Sequence, residues 1–309
     1  MIATVTLNPS LDKTVTVERL VLEEANRWTS MRRDPGGKGI NVSRVVHELR
    51  GKTIAYGFVG GIDGDILKQL LQQQGVPFDF TTIKGDIRSN LIITNLSNNS
   101  QTRIDAPGPT ISKSELGSLT GKITYLEPKP DYLVLAGSVP PGVPDDIYKK
   151  LIEAAKKQGI RTVLDSDEEW LKEGIKAKPT LIKPNVYEAG VLLGTKLQDE
   201  AAIVKAAKKL LAKGIEIVAI SRGREGLIIA DANKMLKVIA PRVQVRSTVG
   251  AGDSTVAALV LSLTRGDDIM EASRLAVAAG TAATLTPGTE LCRRRDVEKL
   301  LPQVKVKKL

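Results

Sequence analysis

The amino-acid sequence predicts an α/β protein with a mostly parallel central sheet covered by helices. Short apolar strand patterns alternate with helical patterns along most of the 309 residues, and the connections between them are short. This alternation is typical of parallel sheets whose crossovers are helices. Two segments depart from it, because they alternate apolar and polar residues with period two. The chain therefore combines a large α/β core with a small inserted sheet.

The strands of the core are predicted where β-branched and apolar residues form short runs bounded by turn-forming residues. In chain order they are residues 2–7, 53–59, 132–135, 161–164, 180–182, 215–220, 227–230 and 235–239. The last two are expected to form an antiparallel pair, since only a short turn separates them.

The helices are predicted where apolar residues recur every three or four positions or form long buried runs. In chain order they are residues 40–49, 64–74, 144–158, 200–212, 251–264 and 269–284. Gly159 directly follows the 144–158 helix and is expected to end it.

The inserted segments span approximately residues 13–34 and 86–106. Residues 14–18, 90–96 and 102–104 carry the period-two pattern of strands with one solvated face. Three interpretations remain open from the pattern alone: a lid over a site, a dimer contact, or a plain surface hairpin.

Composition limits the function classes. The formal charge is +10, but aromatic residues make up only 3% and basic residues are spread along the chain, so nucleic-acid binding is not expected. The longest apolar runs fall far short of a membrane span, and the N-terminus lacks a signal-peptide pattern. Cys292 and His47 are the only cysteine and histidine. We therefore expect a cytoplasmic protein with a partly buried, structural His47 and a buried Cys292, without a zinc or Cys-His site.

Residues 248–254, Thr-Val-Gly-Ala-Gly-Asp-Ser, are the most informative motif. The two glycines precede the apolar helix 251–264, where free backbone N–H groups favour an anion. Asp253 would lie beside that anion and could accept a proton from an attacking hydroxyl. A tight turn is the alternative interpretation of the glycines.

Residues 35–41, Pro-Gly-Gly-Lys-Gly-Ile-Asn, form a second glycine-rich segment that opens a helix. The glycines permit close approach of a ligand, and Asn41 could bond a sugar hydroxyl; a sharp turn is the alternative. A Walker A loop is excluded, since Val46 occupies the first glycine position required before Gly51-Lys52-Thr53.

Several polar groups follow predicted strands and should meet at one edge of the sheet. They are residues 8–12, 60–61, 137–138, Asp165, residues 183–185 and residues 221–223. Asn185 and Glu188 lie three apart, on one helical face. They could hold Mg²⁺, directly or through water, or they could form a helix N-cap.

These motifs together resemble the ribokinase-like, or PfkB, sugar kinase family, and the resemblance covers nearly the whole chain. Residues 6–12, 35–42, 137–142, 183–188 and 248–254 carry it. The resemblance implies a ribokinase-like Rossmann-type sandwich with a small β-sheet lid that pairs in a homodimer. It also implies ATP and a phosphorylated ketohexose as substrates, with Mg²⁺ and, in some members, K⁺.

The resemblance implies a role for each motif by its position. Asp253 matches the catalytic base. Gly250, Ala251 and Gly252 match the anion hole for the transferring phosphoryl group. The implied substrate-binding residues are Asp12, Arg27, Gly37, Lys38, Asn41, Arg88 and Ser138, with Arg88 as the lid arginine that grips the sugar phosphate. The implied nucleotide-binding residues are Lys183, Asn185, Ser221, Gly223, Thr248, Gly250 and Gly252. The implied Mg²⁺ residues are Asn185 and Glu188.

The chain looks most like the phosphosugar branch of the family, which includes 6-phosphofructokinases of the minor type, 1-phosphofructokinases and tagatose-6-phosphate kinases. Residues 288–292 look like the first of these, which makes fructose 6-phosphate the first expectation. Ala25, where that subgroup has lysine, looks more like the other two. Fructose 1-phosphate and tagatose 6-phosphate therefore remain alternatives, as does a non-catalytic sugar-phosphate sensor.

Overall fold

The computed structural model describes residues 1–98 and 100–309, so Asn99, within the second predicted insertion, lies outside the described residues. The strands are β1 Ile2–Thr6, β2 Ser10–Val17, β3 Ser30–Gly36, β4 Thr53–Val59, β5 Phe78–Thr82, β6 Arg88–Asn95, β7 Ser100–Ile104, β8 Tyr132–Ala136, β9 Arg161–Asp165, β10 Leu181–Ile182, β11 Ile217–Ser221, β12 Leu227–Ala230, β13 Met235–Ile239 and β14 Lys305–Lys308.

The helices are α1 Lys38–Glu48, α2 Gly61–Gln73, α3 Lys113–Thr124, α4 Ile147–Lys157, α5 Glu168–Gly174, α6 Val186–Leu193, α7 Glu200–Leu211, α8 Ala251–Thr264, α9 Ile269–Ala283 and α10 Arg294–Leu300. Short 3₁₀ turns occur at Ile175–Ala177, Gly223–Glu225 and Leu301–Gln303. Within the described residues, no helix is both long and apolar enough to cross a bilayer.

The large sheet has the strand order β14-β13-β12-β11-β10-β9-β8-β1-β4-β5. The strands from β11 to β5 are parallel, whereas β12, β13 and β14 add antiparallel pairs at one edge. This arrangement confirms the predicted mostly parallel sheet. The β12–β13 hairpin has the predicted bounds.

The sheet is covered on both faces, and each face has its own apolar core. Alternate residues of a strand point to opposite faces. Ile2 of β1 and Val134 of β8 pack in the core that contains α1, α8 and α9, while Ala3 and Leu133 pack in the core that contains α3, α4 and α7. Burial on both faces explains why these strands are continuous apolar runs. Cys292 is buried in the first of these cores, as predicted.

The small sheet has the order β3-β2-β6-β7, with β2 and β6 parallel and the outer pairs antiparallel. Its first segment begins at Ser10 and ends at Gly36, so it is longer at both ends than the predicted 13–34. Large apolar side chains stay exposed on and beside this sheet: Leu22, Trp28, Met31, Leu96 and Ile104.

His47 differs from its predicted environment. It was expected to be partly buried, but it lies on the exposed side of α1 near Gly75. The apolar neighbours Val45 and Val46 lie on the buried face of the same helix, whereas His47 lies on its exposed face.

Candidate active site

The N-terminus of α8 presents backbone donors that have no acceptor among the described residues. Gly250, the N-cap, has a left-handed φ of 77°, which sets the direction of the turn. Ser254 N–H bonds the Gly250 carbonyl, but among the described residues the N–H groups of Gly252 and Asp253 bond nothing. Unpaired N–H groups at a helix N-terminus form an anion site. The predicted anion hole therefore has free amides.

Asp253 is buried beside these amides, and its Oδ2 accepts a 2.8 Å hydrogen bond from Asn41 Nδ2. Burial raises the pKa of Asp253 to about 6, and the negative charge of Asp165 adds to the rise. The Asn41 bond and the charges of Lys38 and Lys183 act in the opposite direction. The carboxylate can therefore accept a proton near neutral pH, as a general base requires.

Two lysines meet at Asp165, the last residue of β9. Asp165 Oδ1 lies 3.5 Å from Lys183 Nζ and 4.0 Å from Lys38 Nζ. Burial alone would lower the pKa of Lys38, but Asp165 and the other nearby carboxylates together raise it above its usual value. Lys38 thus stays charged. Lys183 Nζ is also 3.6 Å from where a Cβ on Gly252 would lie, so its charge faces the anion hole.

The glycine-rich segment 35–41 packs against β1 and β2. Gly37 has a φ of +111°, and a Cβ there would lie 2.6 Å from Thr6 Cγ2. A Cβ on Gly36 would lie 2.6 Å from Asp12 Oδ1. Asp12 is buried and accepts hydrogen bonds from Ser10 Oγ at 2.8 Å and Asn90 Nδ2 at 2.9 Å. Side chains larger than hydrogen are thus excluded where the predicted sugar site lies.

A cavity of about 570 Å³ opens between the small sheet and the loop that follows β8. Its lining includes Asn8, Arg88 and Ser138. Arg88 donates from Nε to the Asn8 carbonyl and from Nη1 to the Ala106 carbonyl, both at 3.2 Å. Burial lowers the pKa of the Arg88 guanidinium, an effect that a bound anion would oppose. The structure thus brings Arg88 and Ser138 into one pocket.

The other predicted nucleotide-binding residues follow Lys183 in the chain. Ser221, at the end of β11, forms an isolated bridge with Asn185, and its N–H bonds the Pro184 carbonyl at 3.0 Å. Gly223 is exposed with open space where a Cβ would be, and Thr248 precedes the α8 N-terminus. Ser221 and Gly223 thus share the edge of the sheet with Lys183, which follows β10.

Asn185 and Glu188 form the N-cap that the sequence left as the alternative to a metal site. Asn185 Oδ1 accepts from Glu188 N–H, and Glu188 Oε2 accepts from Asn185 N–H, both at 2.8 Å. Among the described residues no donor reaches Glu188 Oε1. Burial raises the pKa of this carboxyl, which a nearby cation would reverse. The cap leaves one carboxylate oxygen for Mg²⁺, but it occupies the Asn185 side-chain oxygen.

Arg27 is the predicted site residue that the structure does not bring to the site. It is exposed in the loop between β2 and β3. Among the described residues, it is not one of those that line the cavity beside Arg88. The sequence places Asn8 and Asp165 at this edge of the sheet, because both follow strands, but it indicates no specific role for them. No sequence signal marks Asn90 or Arg44 as functional. Asn90 contacts Asp12, 78 residues away in the chain, whereas Arg44 contacts Asn41 on its own helix and Gln74, 30 residues away.

Residues 5–295 match the family described as pfkB family carbohydrate kinase. Over its full length, the chain is 37% identical to the 1-phosphofructokinase of Bacillus subtilis, covering 100% of both proteins. It is 36% identical to the ATP-dependent 6-phosphofructokinase isozyme 2 of Escherichia coli, covering 97% of both. A crystal structure of phosphofructokinase-2 from Escherichia coli in complex with potassium matches it with a TM-score of 0.94, 36% identity and 98% coverage of both chains. The chain belongs to the pfkB family of carbohydrate kinases and is a phosphotransferase with an alcohol group as acceptor.

Proposed function

We propose that this kinase transfers the γ-phosphoryl group of ATP to a fructose phosphate, with fructose 6-phosphate as first substrate and fructose 1,6-bisphosphate as product. The observation that carries the proposal is the position of Asp253. A buried carboxylate with a pKa near 6 adjoins the unpaired amides of Gly252 and Asp253 itself. A base beside an anion hole is what phosphoryl transfer to a hydroxyl needs.

In the proposed transfer, the bond that forms is matched by the bond that breaks. The sugar hydroxyl oxygen forms a bond to the γ-phosphorus, the bond between that phosphorus and the β-phosphate oxygen breaks, and ADP leaves. The hydroxyl proton moves to the Asp253 carboxylate. The free amides and Lys183 stabilise the charge on the phosphoryl group as it moves. Asp12 and Asn41 hold the sugar hydroxyls.

Arg88 and Ser138 hold the phosphate that the sugar already carries. A guanidinium can form two parallel hydrogen bonds to phosphate oxygens, and the cavity beside Arg88 has room for the group. With its phosphate held there, the opposite end of the sugar is proposed to reach Asp253.

Fructose 1-phosphate is the second candidate, because Ala25 and the identity to a 1-phosphofructokinase favour it. Its phosphorylation also gives fructose 1,6-bisphosphate. The two reactions differ in which end of the sugar binds Arg88. Tagatose 6-phosphate is the third candidate, on the strength of Ala25.

Mg²⁺ enters with ATP and would be held through Glu188 Oε1 and water, with Asn185 limited to a water-mediated contact. Among the described residues no group of three His, Cys, Asp or Glu side chains converges to hold a metal, which suits an ion that keeps several waters and phosphate ligands. When bound, the ion would neutralise negative charge on the phosphate groups. We also propose that the kinase requires K⁺, because a related kinase has a crystal structure in complex with potassium.

The exposed apolar side chains of the small sheet support a homodimer formed through this lid. Met31, Ile104 and Trp28 are each at least two-fifths exposed, and several large exposed apolar side chains in one region of a surface favour an interaction site. A single buried thiol, Cys292, is compatible with work in the reducing cytoplasm.

The test is ADP release with the three sugar phosphates side by side, for the wild type and Asp253→Asn. The highest kcat/KM should be found for fructose 6-phosphate, and Asp253→Asn should lower kcat at least about 10²-fold while ATP binding persists. Undiminished turnover in that variant would refute the assigned base. Turnover with none of the three sugars would instead favour a non-catalytic sensor.

A further inference from the structure

Arg44 lies one turn after Asn41 on α1 and contacts its amide from the side opposite to Asp253. Arg44 Nη1 donates to Asn41 Oδ1 at 3.2 Å and to the Pro35 carbonyl at 3.0 Å. Its Nε donates to Gln74 Oε1 at 2.8 Å. The guanidinium thus joins Asn41 to the first residue of the glycine-rich segment.

These contacts determine which way the Asn41 amide faces. An arginine only donates hydrogen bonds, and an ionised carboxylate only accepts them. Asn41 satisfies both neighbours in one orientation, with Oδ1 toward Arg44 and Nδ2 toward Asp253. In the reversed orientation, Oδ1 would face the carboxylate, and Asp253 would have to be protonated to bond it. The reversed amide therefore favours the neutral acid.

We propose that Arg44 is a positioning residue, which holds the Asn41 amide with its NH₂ group toward Asp253 and so keeps the base ionised. This inference rests on the proposed function, in which Asp253 accepts the proton. Arg44 itself touches neither reacting atom. Without it, the amide can rotate and stabilise protonated Asp253.

Other charges also face Asp253, and they are unchanged when Arg44 is replaced. Lys38 on α1 and Lys183 after β10 favour its ionised form, while Asp165 at the end of β9 disfavours it. Burial lowers the pKa of Arg44, while the charges of Asp34, Asp12 and Asp253 oppose that effect. The charge of Arg44 therefore also acts on Asp253 directly, with or without the Asn41 side chain. A change of pH profile that depends on Asn41 therefore reports on the amide and not on these groups.

The experiment is the pH dependence of kcat/KM for the sugar phosphate at saturating Mg-ATP in Arg44→Met. We expect the acidic limb to move up by about 0.5 to 1 pH unit, since hydrogen bonds to charged groups shift pKa values by this order. Well below the limb, kcat/KM should fall about 3- to 10-fold against the wild type, with a change under about twofold at pH 8.5. The substrate phosphate also titrates near pH 6, but equally in every variant.

Three further variants isolate the amide. Gln74→Ala removes the other side-chain partner of Arg44 and should leave the limb in place. Arg44→Lys keeps a donor-only cation and should restore most of the wild-type profile. In an Asn41→Ala background, Arg44→Met removes only the direct effect of its charge on Asp253, so it should move the limb clearly less than it does in the wild type. If Arg44→Met does not fold, Arg44→Gln takes its place, because its amide can donate or accept and does not impose one orientation.

An unmoved limb in Arg44→Met or Arg44→Gln overturns the inference, and so does an equal loss at every pH. A shift of the same size in the Asn41→Ala background also overturns it, because such a shift would come from the charge of Arg44 alone. These outcomes leave the proposed function standing as long as Asp253→Asn is inactive. If Asp253→Asn keeps full turnover, the proposed function fails first.

Discussion

Replacing Asp253 with Asn should stabilise the protein at the pH where it removes activity. Burial raises the pKa of Asp253 from the ordinary 3.8 to about 6. Because the folded pKa lies above the unfolded one, the stabilising effect of the proton is complete below about pH 4 and lost as the pH rises through 6. At about 1.4 kcal/mol per pKa unit, ionisation of Asp253 costs about 3 kcal/mol of folding free energy at pH 8. Asparagine is neutral and can still accept from Asn41, so it avoids this cost.

Urea denaturation of the wild type and Asp253→Asn at a series of pH values measures this cost. The variant should be more stable by up to about 3 kcal/mol at pH 8, with an unchanged m value, and the gain should vanish toward pH 4. Asp65→Asn on the exposed face of α2 is the control and should change stability by less than about 0.5 kcal/mol at every pH. A gain that does not depend on pH, or a less stable variant at pH 8, would contradict the electrostatic reasoning.

The remaining predictions concern the other parts of the site. Gly250→Ala should lower the free energy of unfolding by about 2 to 4 kcal/mol, measured by denaturation, because Gly250 has a left-handed φ and a Cβ there would lie 2.5 Å from Leu291 Cδ2. The control, Gly117→Ala in α3, meets no atom within 4 Å and should raise stability by up to about 1 kcal/mol. Arg88→Ala should raise KM for the sugar phosphate at least about tenfold with KM for ATP within about twofold, and a shift in the ATP value alone would place the two substrates the other way round. Glu188→Gln keeps the helix cap, so it should raise the Mg²⁺ concentration needed for half-maximal rate without lowering the melting temperature. Glu188→Ala loses the cap as well and should cost about 1 kcal/mol of stability. A Gln variant with normal Mg²⁺ dependence would exclude the carboxylate as a metal ligand.

The strands and helices that the sequence predicted are those with strong apolar patterns. β4, β12, β13 and α8 have the predicted bounds, and most other predicted elements differ by only one to three residues at their ends. Burial on both sheet faces produces long apolar runs, which makes such strands easy to recognise.

Two strands that escaped prediction, β3 and β14, are ordered by pairing with neighbouring strands. β3 is Ser-Met-Arg-Arg-Asp-Pro-Gly, and its side chains are mostly exposed or charged. It is ordered by pairing with β2 along seven residues. β14 contains three lysines and completes the antiparallel edge beside β13. Tertiary pairing of this kind leaves little trace in the local sequence.

The site shows the same division between local and distant contacts. The motif at residues 248–254 could be interpreted locally, because an anion hole needs only glycines and a helix N-terminus. The environment that gives Asp253 its pKa could not, since Asn41 is 212 residues away in the chain and Asp165 follows a different strand. A resemblance to a family names the base, but the groups that set its proton affinity are found only when the fold brings α1, β9 and α8 together. Residues such as Arg44, which act through another side chain, are therefore the last to be found from sequence and need the contacts of the folded chain.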